Sequence, residues 1–222
     1  MADRWFGALE IAPTSNAKGW SGADPLAALE ADLEAGLSDQ GRNLVIDNLQ
    51  VLGGLHTLRS RDAIHALVAS QDTGLRGEAI LALMRTHDSR AVGDALSFLS
   101  QDPPSARISN LQLAIRNQFE LVNDPATLKI LHDHLASPHV LVRSAIVKAL
   151  KNLQSGSSVP WLIALLDDSD TSIRFDAMVS LVLIENKGDG WATSWPDFQA
   201  NGQKYIAKWK DWWSTEGRYQ YQ

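Results

Sequence analysis

The sequence predicts an all-α fold: a right-handed α-solenoid of about five helical hairpins, closed by a Trp-rich C-terminal cap helix. Three observations lead there. One block of sequence recurs several times along the chain. Inside each block apolar residues recur at i, i+3, i+4 and i+7, the spacing of a helix with one buried face. No block shows the strict apolar–polar alternation of a half-buried strand.

Four copies of the block align on an arginine: Asp72-Thr-Gly-Leu75-Arg76, Pro103-Pro-Ser-Ala106-Arg107, His139-Val-Leu-Val142-Arg143 and Asp170-Thr-Ser-Ile173-Arg174. The intervals between these arginines are 31, 36 and 31 residues. A weaker fifth copy begins at Asp39, with Asn43 where the others carry Arg. The flanking columns agree. Eight residues before the anchor stand Val68, Leu99, Leu135 and Leu166; four after it stand Ile80, Leu111, Val147 and Met178. Self-similarity at such a period is the mark of a repeat architecture.

Each copy reads as two helices. Ala63 to Val68 and Val159 to Leu166 exemplify the first helix, with Pro160 near a helix start, where its missing N–H costs little. A turn rich in Asp, Ser, Thr and Pro follows, as in Ser70 to Thr73 and Asp167 to Asp170, and supplies N-cap residues for the second helix. Gly53-Gly54 and Gly188-Asp189-Gly190 read as helix ends. A pair this short cannot bury both apolar faces alone, so neighbours must stack into one continuous core. First helices are then expected on the convex side and second helices on the concave side.

The pattern Asp-x-x-(Val/Leu/Ile)-Arg-x-x-Ala-x-x-(Ala/Ser)-Leu resembles the HEAT repeat, in particular the short, regular HEAT-like repeats of bacterial proteins. The copies at Asp72 and Asp170 match at nearly every position; the Pro103 copy departs at Asn110 and Ala114. The resemblance spans roughly residues 24 to 186. It implies that the turn Asp and the anchor Arg bridge neighbouring repeats. It implies little about function, because the fold serves scaffolds, inhibitors and a few enzymes.

The chain accordingly divides into an N-terminal arm or cap (1–23), a solenoid (24–187) and a tail (188–222). In the tail, Trp191 to Phe198 reads as an aromatic-rich loop and Gly202 to Trp213 as a helix. Tyr205, Trp209 and Trp212 or Trp213 form one stripe on that helix, suited to closing the open end of a solenoid.

Composition removes several function classes. The 222 residues include no Cys, which excludes disulfides, thiolate metal sites and cysteine nucleophiles. A formal charge of -6, with no basic stripe, argues against nucleic acid as a partner. No stretch approaches the roughly 18 apolar residues of a membrane span. The N-terminus lacks the basic and apolar regions of a signal peptide, so the chain reads as soluble, either cytoplasmic or exported with its leader removed.

No catalytic constellation assembles. Gly-x-Ser-x-Gly and Gly-rich phosphate loops are absent. His132 and His134 point to different faces of a helix, so no metal or cofactor site is expected there. What remains is binding. Arg107 and Arg143 lack a turn Asp in their own copies and are candidates for a partner's carboxylate; Trp191, Trp195 and Trp212 are candidates for partner anchors. Asn110, Gln112, Asn117 and Gln118 make one second helix unusually polar. The expected function is therefore a non-enzymatic interaction scaffold or accessory subunit for a protein partner. The alternative is an enzyme subunit of the HEAT-like bilin-lyase type.

Overall fold

The computed structural model describes residues 25–38, 41–56 and 58–221. The expected N-terminal arm, with Trp5 and Phe6, and the residues Asp39 and Gln40 that open the weakest copy lie outside the described residues. Eleven α-helices and no strand occur among the described residues.

The helices pair as five hairpins. They are α1 (Pro25–Ala35) with α2 (Arg42–Leu55), α3 (Arg61–Ala66) with α4 (Thr73–Arg85), and α5 (Ala91–Leu99) with α6 (Ala106–Gln118). Then come α7 (Leu128–Asp133) with α8 (Val140–Leu153) and α9 (Val159–Leu165) with α10 (Thr171–Glu185); α11 (Trp195–Thr215) closes the chain. The second helices α2, α4, α6, α8 and α10 touch in series, and α11 packs on α9 and α10. This serial contact makes the molecule a solenoid. One apolar core runs its length, from Leu37 through Leu49, Leu83, Ile115, Leu150 and Leu181 to Trp212. Burial at that scale, about 1.5–3 kcal/mol for each large apolar side chain, is what holds helices of six or seven residues that would not persist alone.

The polar turns act as caps. Asp72 accepts a hydrogen bond from the Leu75 amide at 2.9 Å, and Asp170 accepts from Ser172 and Ile173 at 2.8 and 3.3 Å. At the other ends, His56, Gln154 and Asn186 sit in the left-handed region with φ of 53°, 46° and 48°. The glycines are therefore not the stops that the sequence suggested. Gly53 and Gly54 lie inside the last turn of α2, and α10 ends at Asn186, before Gly188. Gly53 serves a different purpose: a Cβ there would stand 2.9 Å from the Ala82 Cα, so its bare backbone lets α2 approach α4.

The caps also correct the repeat register. The N-caps of the five second helices are Gly41, Asp72, Ser105, His139 and Asp170, spaced by 31, 33, 34 and 31 residues. Asp72, His139 and Asp170 each precede their arginine by four positions, whereas Ser105 precedes Arg107 by only two. The turn between Leu99 and Ser105 is two residues longer than its counterparts, so Arg107 is not an anchor arginine at all. Ser109 occupies the anchor position, and the buried Gln112 ties the turn instead. Its Nε2 donates to the carbonyls of Phe98 at 3.0 Å and Gln101 at 2.7 Å.

The C-terminal helix is longer than expected. It starts at Trp195, not Gly202, because Ser194 and Pro196 form a helix start that the density of aromatic residues concealed. A kink at Asn201 (φ -130°, ψ 16°) separates this extra turn from the rest.

Candidate functional site

The true anchor arginines are structural. Arg76, Arg143 and Arg174 each donate from Nη1 to the carbonyl six residues back, those of Ser70, Ser137 and Asp168, at 3.3, 2.8 and 2.6 Å. Two of them also reach forward 25 residues into the next turn: Arg76 to Gln101 Oε1 at 3.1 Å, Arg143 to both oxygens of Asp168. Arg143 and Asp168 are 12% and 5% exposed. The expectation that Arg143 is free for a partner's carboxylate is therefore corrected, because the next repeat supplies that carboxylate. Nor does the turn Asp meet its own copy's Arg. Asp72 is bridged from the preceding repeat by Arg42, whose guanidinium and the Leu75 amide hold its carboxyl well below the usual range.

Arg107, displaced by the longer turn, is free of this ladder. It is 56% exposed in the first turn of α6 and stands 4.0 Å from Glu78 Oε1 of α4. Around it the second helices alone form a cleft. Gln50, Arg85 and Asn110 line its walls, and the largely buried Leu81, Leu111 and Ala114 form its floor. The base is apolar and the rim polar, with Glu78 accepting from the Gln50 amide at 3.5 Å.

A second cleft lies further along the same series of helices, lined by Glu120, Lys148, Lys151, Asp176 and the exposed Leu183. The Lys148 ammonium pairs with Glu120 and holds that carboxyl below its usual range. Asp176 is half-buried, and burial pushes its carboxyl up against the opposing pull of Lys148 and Lys151. Lys151 is exposed. Sequence reading missed this cleft, because its members come from three segments and each looks like an ordinary charge on a solvated helix.

The tryptophans divide otherwise than expected. Trp212, a candidate anchor for a partner, is buried at 4% exposure and belongs to the cap, a correction that follows from its place on the inner stripe of α11. It packs edge-on against Trp209, at 5.4 Å between ring centroids. Trp209 is fully buried and donates from Nε1 to the Trp191 carbonyl at 3.0 Å. Trp191 is half-buried against Trp209, with the ammonium of Lys208 4.2 Å from its ring centroid and that of Lys187 at 5.2 Å. Of the three candidate anchors Trp191, Trp195 and Trp212, Trp195 alone is exposed, at 37%, in an edge-to-face contact with Phe175 of α10.

The histidines that drew attention are separated. His132 stacks on Trp161 at 5.1 Å and faces the Ser158 hydroxyl at 3.3 Å, and burial lowers its pKa. His134 Nδ1–H donates to the Ile130 carbonyl at 2.8 Å. Among the described residues no group of three or more side chains is placed to hold a metal, and no helix is long and apolar enough to cross a membrane.

Comparison with known proteins agrees with this architecture. The family model for HEAT repeats matches residues 111–182, from within α6 to within α10. No curated protein matches. Among solved structures, the fold is similar to a chain in the complex of CpcE and CpcF of phycocyanin lyase from Nostoc sp. PCC7120, with a TM-score of 0.54 and 18% identity. The match covers 71% of this chain and 65% of that one, so this chain spans just under two thirds of its neighbour's length. Residues 111–182 carry HEAT repeats, and the described hairpins on either side of them stack in the same series.

Proposed function

We propose that this chain is a non-enzymatic subunit that holds a protein partner against the row of second helices. One observation carries the reading: the cleft around Arg107. An arginine released from the turn ladder stands with Arg85, Gln50 and Asn110 over an apolar floor. Glu78, the cleft's own carboxylate, faces that arginine at 4.0 Å and accepts from Gln50 at 3.5 Å, so a partner's carboxylate would enter by displacing it. Arginine with convergent amides suits recognition of a carboxylate-bearing segment, and an apolar floor supplies the dry contact area that such recognition needs.

Site-specific photo-crosslinking in the native cell tests this. A photoreactive residue at position 110, on the second helices, should give a discrete covalent adduct. The same residue at Lys129, exposed on a first helix, should not. Adducts from position 129 alone, or from neither, would refute the reading.

A second reading is supported by the fold's likeness to a chain of a phycocyanin lyase complex, namely a lyase-type subunit that attaches a bilin to an acceptor protein together with a partner subunit. Mixing the chain with bilin and acceptor, and looking for covalent colour on the denatured acceptor, separates the two. Colour that depends on this chain would replace the scaffold reading.

A further inference from the structure

The repeat period brings together two histidines that lie far apart in sequence. His56 and His87 follow the last turns of α2 and α4, both at positive φ (53° and 56°), and their ring centroids are 6.1 Å apart with the planes inclined by 30°. Both are exposed. His56 Nδ1–H donates to the Arg85 carbonyl at 2.6 Å, which fixes its tautomer and leaves the Nε2 lone pair directed away from the backbone.

We propose that His56 and His87 form a two-imidazole clasp for a divalent transition-metal ion such as zinc, nickel or copper, joining the ends of the first two repeats. Four features support it. The ligand type suits these ions. With metal–nitrogen bonds of about 2 Å, two imidazoles sharing one ion place their centroids roughly 4.5–6.3 Å apart as the N–metal–N angle opens from about 90° to about 180°. The observed 6.1 Å lies at the open end, and tetrahedral coordination, at roughly 5 Å, requires the two exposed rings to turn about 1 Å closer. The N–H of His56 donating to a carbonyl is the arrangement that orients imidazole ligands in metal sites. Finally, two helix C-termini converge there, each carrying about half a negative charge that favours a cation. Arg61, which donates to the Thr86 carbonyl, and Arg85 oppose that field, so the site relies on its imidazoles more than on electrostatics. Solvent completes the coordination sphere.

The test is isothermal titration of Zn2+ into the untagged, chelator-treated full chain at pH 7.5. It is repeated with His87→Asn, His56→Asn and the control His134→Asn. Asparagine tolerates the left-handed backbone of both sites, and far-UV circular dichroism verifies that each variant stays helical. One equivalent of zinc should bind saturably, with the imidazole resonances of His56 and His87 shifting together. Either site variant should weaken binding by about tenfold or more, the scale that loss of even a supporting group carries at metal sites, whereas the control keeps the parental isotherm. Absence of a saturable single equivalent would overturn the proposal, as would unchanged binding in a folded His87→Asn chain.

Discussion

Arg143 grips Asp168 across one full repeat, Nε to Oδ2 at 2.7 Å and Nη2 to Oδ1 at 2.9 Å, while its Nη1 holds the Ser137 carbonyl. One guanidinium thereby joins two turns, with both partners largely out of water. Arg143→Ala should lower stability by about 3 kcal/mol, because it leaves a buried carboxylate without its counter-charge. Arg143→Lys should recover only part of this, since an ammonium lacks the fork that matches both oxygens. Urea unfolding followed by far-UV circular dichroism measures both. A midpoint unchanged by Arg143→Ala would deny the bridge any weight.

Adjacent glycines in α2 should respond with opposite sign. At Gly53 a methyl group would meet the Ala82 Cα at 2.9 Å and its Cβ at 3.1 Å; at Gly54 it would meet nothing within 4 Å. Gly53→Ala should therefore force α2 and α4 apart and cost about 1–3 kcal/mol. Gly54→Ala should stabilise by about 0.5–1 kcal/mol, because the unfolded chain loses conformational freedom. Thermal melts of the two single variants, compared side by side, decide the matter. Equal shifts would mean that the helix contact is not close.

Much of this architecture is legible from sequence, and the failures have identifiable causes. The five hairpins follow from apolar columns because the core selects them, and the columns at Val68, Leu99, Leu135 and Leu166 need no correction. Arg107 misled because a two-residue extension of one turn brought an unrelated arginine into an alignment built on arginine, while the true device of that repeat, Gln112, is of another residue type. Arg143 misled because its carboxylate comes from a turn 25 residues ahead, where a local motif does not look. Trp212 and Trp213 are neighbours on a helix, and spacing alone left open which of them faces inward. The clefts on the second helices are sums of side chains from separate repeats and become visible only when those repeats are stacked.

Asp176 gives the chain a pH dependence of known sign. Its folded carboxyl lies above the usual value near 3.8, mainly through burial, so the native state holds that proton more tightly than the unfolded chain does. The contribution is favourable below the unfolded value and is lost as pH rises through the folded one. Asp176→Asn should thus raise the urea midpoint at pH 7, with the gain shrinking as pH falls toward 4. A gain that grows on acidification would reverse the assignment. Such a cost, kept at neutral pH in an open cleft, is the pattern expected where binding rather than stability sets the residue.

The tail should behave as a lid on the last repeat. Trp209→Ala removes a fully buried indole and the bond to the Trp191 carbonyl, a loss of about 3–5 kcal/mol. Because each repeat contacts chiefly its neighbours, the damage should stay local. Amide exchange should quicken through α10 and α11 and remain slow in α4. Uniform acceleration along the chain would show that the five hairpins unfold as one unit.

Arg107→Glu separates binding from folding. The side chain is 56% exposed, and its contact with Glu78 spans 4.0 Å, so little stability rests on it. Reversal places two acids side by side, but it also puts a negative charge in the first turn of α6, where the helix field favours it. These effects oppose each other, and the unfolding free energy should change by no more than about 0.5 kcal/mol. A partner that presents a carboxylate to this cleft would meet repulsion where it had met a guanidinium. The adduct formed from position 110 should then disappear while the helical spectrum persists. If the adduct survives at full yield, the partner is held by something other than Arg107, and the cleft around Asp176 becomes the place to introduce the next reversal.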